Sequence, residues 1–318
     1  MHMRKESVVL PASLEQQLPV RDAKGNAVLK AGLLLTLYFR QGHEESKRQA
    51  VLACAENFLQ LFGSEMQWGL LGVGKPTPVE NFAPDATRHY LAAVDVDDDD
   101  GWQIYWHGNA PVDASDFGFQ ASGTARHDSE ELGHLSCLTM HCRLDNAVCG
   151  PAELLNLALS WSQRLQPVHG YAGVGIIRAA DRFVGAHCET EEFALARRYP
   201  TLEVDYPLSH ALWTRDGIKG GNWLTILSDA MVQQLEQVSG PLALPDSLSR
   251  HPYAGGLIIR AGAAPVVIDR NQGEDSPAYH ELARILQPIR VKLHPAVHTS
   301  RGKFTRQAFE EWLARFDP

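Results

Sequence analysis

Three stretches of the chain repeat one order, strand then amphipathic helix then strand, and that order limits the architectures open to it. In the first, Leu33–Phe39 is an apolar run rich in strand formers. A helix follows from about Glu44 to Phe62, with Val51, Cys54, Ala55, Phe58, Leu61 and Phe62 on one face, and Met66–Val73 closes the unit as a strand. The second runs from a strand at Leu135–Arg143, through a helix opened by Pro151 and faced by Leu154, Leu157, Ala158, Trp161 and Leu165, to a strand at Tyr171–Arg178. A looser third takes Trp223–Leu227, a helix near Asp229–Val238, and Gly256–Arg260.

Two helices end the chain. Ser276-Pro277 reads as a cap and first turn ahead of Tyr279, Leu282, Ile285 and Leu286, and Phe309, Trp312, Leu313 and Phe316 form the stripe of the last. Gly74–Pro84, Gly108–Arg126 and Pro241–Pro252 read as loops. The expected class is therefore α+β, with repeated strand-helix-strand units forming mixed or antiparallel sheets flanked by helices. Residues 1–28 read as an N-terminal segment and 29–318 as one domain, open to division into lobes at 29–130 and 131–318. With 318 residues and 44% hydrophobic composition, the chain can bury a sizeable core.

Charge is concentrated. The net charge is −9, and from Asp85 to Glu131 eleven acids face two bases, Arg88 and Arg126, so this one segment carries the whole imbalance. Such a run reads either as a solvated loop or as an acidic docking surface for a basic protein. Trp102, Tyr105 and Trp106 follow the aspartate run, as interface anchors would. Trp102, Ile104 and Trp106 also alternate as a core-facing strand would. The acidity argues against direct nucleic-acid binding.

No apolar run approaches the roughly 20 residues of a membrane span, and the apolar run after Arg4 and Lys5 is only Val8–Leu10, short of the ~7–15 residues of an export signal. Five scattered cysteines (Cys54, Cys137, Cys142, Cys149 and Cys188) read as reduced thiols. A cytoplasmic location is expected.

Catalytic and metal motifs fail on inspection. Gly69-x4-Gly74-Lys75 continues into Pro76 where a phosphate-binding loop needs Ser or Thr. His280-Glu281 is followed by Arg284 where a zinc protease needs its second His. His134, Cys137, His141 and Cys142 cannot close on one ion, because along a strand Cys137 and His141 are four residues and roughly 13 Å apart while Cys142 points to the opposite face. Asp95-x-Asp97-x-Asp99 places Asp100 and Trp106 where a calcium loop needs Gly and Glu. Gly170–Gly175 has the wrong spacing for a dinucleotide fingerprint. No cofactor, metal or catalytic residue is expected.

Several phrases carry a family resemblance: Leu35-x-Leu37-Tyr38-Phe39, Gly170–Gly175, Gly221-Asn222-Trp223-Leu224-Thr225-Ile226-Leu227, Gly255–Gly262 running on to Asp269-Arg270-Asn271, and Leu286-x-Pro288-Ile289-Arg290. Over roughly residues 30–290 the chain resembles the bacterial type VI secretion immunity family, formerly a domain of unknown function. The resemblance implies neutralisation of an injected toxin, including nucleases of restriction-endonuclease type, and brings no catalytic residues. A nuclease offers a basic face to phosphates, and an acidic inhibitor can occupy it. The expected toxin-binding residues are Asp95, Asp97, Asp98, Asp99, Asp100, Trp102, Trp106, Asp113, Asp116 and Glu130. Two alternatives stand beside this reading: an enzyme with a dispersed site drawn from His141, Asp205, His210 and Asp269, and an adaptor of the secretion apparatus.

Overall fold

The computed structural model describes residues 8–79, 84–95, 101–181, 188–292 and 305–317. Its first half holds α1 (Ala12–Glu15), β1 (Val20–Arg21), β2 (Ala27–Phe39), α2 (Glu45–Phe62), β3 (Trp68–Leu71), β4 (Thr77–Pro78), α3 (Pro84–Ala93), β5 (Trp102–His107), β6 (Phe117–Gly123), α4 (Arg126–Glu130) and β7 (Ser136–Arg143). The second half holds α5 (Pro151–Leu165), β8 (His169–Arg178), α6 (Glu189–Arg198), β9 (Glu203–Val204), α7 (Pro207–Trp213), β10 (Leu224–Ser228), α8 (Asp229–Ser239), β11 (Leu248–Tyr253), β12 (Gly256–Ala261), α9 (Pro277–Leu286) and α10 (Arg306–Leu313).

Among the described residues the strands join in one sheet, in the order β11-β12-β10-β8-β2-β7-β6-β5-β3-β4, with β1 on β2 and β9 on β8. Every pairing is antiparallel except β8 with β9. The α+β reading with a flanked sheet is therefore what the chain forms. At its centre β2 pairs on one side with β7, from Gly32↔Arg143 to Phe39↔Ser136, and on the other with β8, from Leu29↔Arg178 to Tyr38↔His169. Its apolar run reaches past Leu33 to Ala27 because both of its faces are covered. Leu33, Leu35, Leu37 and Phe39 enter the main core, whereas Leu34 and Tyr38 join a smaller cluster on the opposite face.

The main face is covered by α2 and α5. Phe58 of α2 and Trp161 of α5 both meet Phe119, at 5.4 and 6.0 Å between ring centroids, and Trp161 Nε1 donates to Asn57 Oδ1 at 2.9 Å. Pro151 opens α5 as expected, and Gln166 closes it in the left-handed conformation. The last helix, α10, is capped by Thr305, whose hydroxyl accepts from the Ala308 amide; Phe309, Trp312, Leu313 and Phe316 are buried as the stripe required.

All three stretches that read as loops contain strands, the short β4 lying within Gly74–Pro84. β6 lies within Gly108–Arg126, hidden by its glycines, and those glycines are what the packing demands. A Cβ on Gly118 would sit 2.3 Å from the His141 ring, and one on Gly123 would sit 2.1 Å from the Trp102 indole. β11 starts within Pro241–Pro252 and ends one residue past it at Tyr253, carrying Pro252; as the sheet's edge strand it tolerates the missing N–H.

Candidate functional site

The acidic segment folds around the β5–β6 hairpin, and the register of that hairpin decides where each acid goes. Trp102 pairs with Gly123 at one end and His107 with Gly118 at the other. Six-residue β5 puts about 17 Å between them at a rise of ~3.4 Å per residue. Gly101 abuts Gly123 at the first end, and α4 starts three residues after Gly123. Asp95, Asp128, Glu130 and Glu131 flank this end in sequence. Asp95, Glu130 and Glu131 are exposed and Asp128 is half-buried. Asp97, Asp98, Asp99 and Asp100 lie outside the described residues.

Asp113 and Asp116 belong to the loop at the other end. Asp113 Oδ1 accepts the Ala27 amide at 2.7 Å, and Asp116 Oδ1 lies 2.7 Å from Lys30 Nζ. Both therefore tie the hairpin loop to the start of β2. Glu130 has a different setting: its side chain is 56% exposed, and Oε1 lies 3.5 Å from Nε2 of the buried His43. The hairpin thus divides these acids between its two ends.

The two tryptophans of the expected set are core residues. Trp102 and Trp106 are each 2% exposed. Trp102 lies across Gly123 and donates Nε1 to the Gly42 carbonyl at 2.8 Å, and Trp106 packs 5.3 Å from Phe119. Their alternation with Ile104 reflects a strand facing the core, so the expectation that they anchor a partner is corrected: neither ring reaches the surface.

The residues considered for a dispersed active site fall in three places. Asp205 and His210 meet, Nδ1 to Oδ1, at 3.7 Å. His141 stands on β7 with its Nε2 buried and unpartnered, and burial pushes its pKa down to about 4. Asp269 receives two bonds from Arg198, at 2.9 and 2.6 Å, and one from Ser13. Asp205 itself accepts from the Thr36 hydroxyl at 2.6 Å and from the Tyr171 hydroxyl, with the His210 imidazole alongside at 3.7 Å. Burial alone would raise its pKa. The neighbouring His210 imidazole, the Lys219 charge and the Thr36 bond outweigh that and hold the carboxyl well below its usual range. It is a structural anion, charged at neutral pH and fully engaged.

Beside it, Lys219 Nζ donates to Glu203 Oε1 at 2.7 Å and to the Val204 carbonyl at 3.0 Å, while Asn222 Nδ2 donates to Glu203 Oε2 at 2.8 Å. This accounts for Asn222 in the phrase Gly221–Leu227: its side chain helps hold a buried charge. Among the described residues no group of three or more His, Cys, Asp or Glu side chains is placed to hold a metal, and no helix is long and apolar enough to cross a membrane.

One surface feature escaped the sequence reading. On α7, His210 and Ala211 face inward, whereas Leu208, Leu212 and Trp213 are 37%, 42% and 49% exposed. The Leu132–Leu135 stretch runs alongside: the Leu135 amide donates to the Ala211 carbonyl at 3.2 Å, and the Arg215 guanidinium donates to the Leu132 carbonyl. Leu132 is itself 41% exposed. Seven residues are too few to show two apolar faces as a periodicity; the available signal was that Pro207–Trp213 carries more apolar residues than one buried face requires.

The fold and sequence place the chain among known proteins. Over 96% of its length it is similar to a solved structure, the Pseudomonas aeruginosa T6SS protein PA0821, with 23% identity, a TM-score of 0.84 and coverage of 90% of that chain. No curated protein matches it. The family model described as type VI immunity for VRR-NUC, TsiV, matches residues 50–316, which takes in both sides of the sheet, the acidic segment and α7. The chain belongs to the TsiV family of type VI immunity proteins.

Proposed function

We propose that this protein binds a cognate VRR-NUC nuclease effector in the cytoplasm and neutralises it as a stoichiometric inhibitor, without chemistry of its own. The family match over residues 50–316 carries the reading. The charge distribution supports it: the net −9 of the chain resides in residues 85–131, and a nuclease must offer a cationic surface to DNA. Asp95, Asp97–Asp100, Asp128, Glu130 and Glu131 supply the acidic part of the contact, with Asp113 and Asp116 at the far end of the hairpin contributing through their remaining exposure.

Co-purification of this chain with the product of the adjacent gene, followed by DNA cleavage with and without the chain, tests the reading. A tight complex that no longer cleaves DNA is expected. An absent complex, or one that still cleaves, would overturn the inhibitor role; in the second case an adaptor function becomes the better account.

A further inference from the structure

We infer that Leu208, Leu212 and Trp213 of α7, with Leu132 beside them, form the apolar centre of the effector-binding surface, and that the cationic face of the nuclease effector covers it. The inference rests on the function proposed above and locates the contact. Among the described residues, every exposed leucine and the exposed tryptophan lie in this patch; the large apolar side chains exposed elsewhere are single valines, such as Val73 and Val238. A clustered exposure of leucine and tryptophan marks an interaction surface more specifically than scattered valines do. Tryptophan is also the side chain most enriched where binding energy concentrates.

The surroundings of the patch select its occupant. Residues 126–132 and 207–216 hold four acids, Asp128, Glu130, Glu131 and Asp216, against Arg126 and Arg215, and Arg40 joins them by donating to the Arg215 carbonyl at 3.3 Å. Arg215 is engaged within the patch, on the Leu132 carbonyl and, at 3.1 Å, on Asp216. The rim toward α4 is therefore acidic, and Glu130 and Glu131 are exposed on it. An apolar centre with an acidic rim fits a basic protein surface carrying its own apolar contact. A second copy of this chain fits poorly, because a symmetric contact would bring the same acidic rims together.

The test measures binding of the full chain to the catalytically inactivated product of the adjacent gene, comparing wild type with Trp213→Ala and Leu212→Ser, with sedimentation velocity of each chain alone. Both side chains are exposed enough for the variants to fold, which a thermal melt verifies. The expected result is a Kd at least about tenfold higher for Trp213→Ala, most of it in faster dissociation, and a change in the same direction for Leu212→Ser. Wild-type affinity in both variants would overturn the inference and leave the inhibitor role standing. So would a wild-type dimer that Trp213→Ala splits while effector affinity stays unchanged. A wild-type chain that fails to bind the effector would overturn the proposed function and this inference together.

Discussion

The indole of Trp102 occupies the space that a side chain on Gly123 would need: a Cβ there would lie 2.1 Å from the ring. The two residues pair across β5 and β6, and the same indole reaches the Gly42 carbonyl ahead of α2. One contact thereby joins the hairpin, the main core and the segment leading into α4. Gly123→Ala forces the indole or the strand aside, and overpacking of this kind costs about 2–3 kcal/mol. Urea denaturation of the variant measures it; a loss under ~0.5 kcal/mol would mean that the strands separate easily there.

The buried Lys219–Glu203 pair makes a second prediction. Glu203 also lies 3.6 Å from the buried Arg315 guanidinium, so Lys219→Met leaves the carboxylate with that longer contact and Asn222 alone and should destabilise the protein by roughly 3 kcal/mol. The double variant with Glu203→Gln should lose less than the two single losses added together, since the two groups bond each other directly. Additive losses in that cycle would show that the pair does not act as a unit.

His169 sets a pH dependence. It is 1% exposed, Nε2 hydrogen-bonds the Thr214 carbonyl at 2.9 Å, and burial lowers its pKa to about 4. The unfolded chain takes up that proton near pH 6.5 and the folded chain only near pH 4. Its contribution is therefore fully present above ~6.5 and erodes as pH falls toward 4, with a slope approaching 1.4 kcal/mol per pH unit. Denaturation at several pH values between 6.5 and 4 should show a shallower slope in His169→Gln than in wild type.

The aspartate run and the acids of the β5–β6 loop should respond differently to neutralisation. Asp97–Asp100→Asn is expected to slow association with the effector, most clearly at low salt. Asp113→Ala removes the acceptor of the buried Ala27 amide and should cost about 1 kcal/mol of stability instead. Stopped-flow association and denaturation on the same variants separate the effects. Unchanged association in the aspartate-run variant would remove that run from the interface.

Much of this fold was legible in the residues themselves. The stripes of α2 and α5 are period-3.6 signals strong enough to name the buried side chains, and the continuous apolar run of β2 marks a strand covered on both faces. The family phrases around Asn222 and the concentration of acids in 85–131 are likewise properties of the linear chain. Tertiary structure decided the rest. Pairing register sent Asp113 and Asp116 to one end of a hairpin and α4 to the other, because charge is additive along a sequence but position in a sheet is not. Close packing turned the glycines of β6 from loop signals into requirements of Trp102 and His141. It also turned Trp102 and Trp106 inward while Trp213 stayed outside, since alternation tells which residues share a face but only the assembled layers determine whether that face meets a core or water.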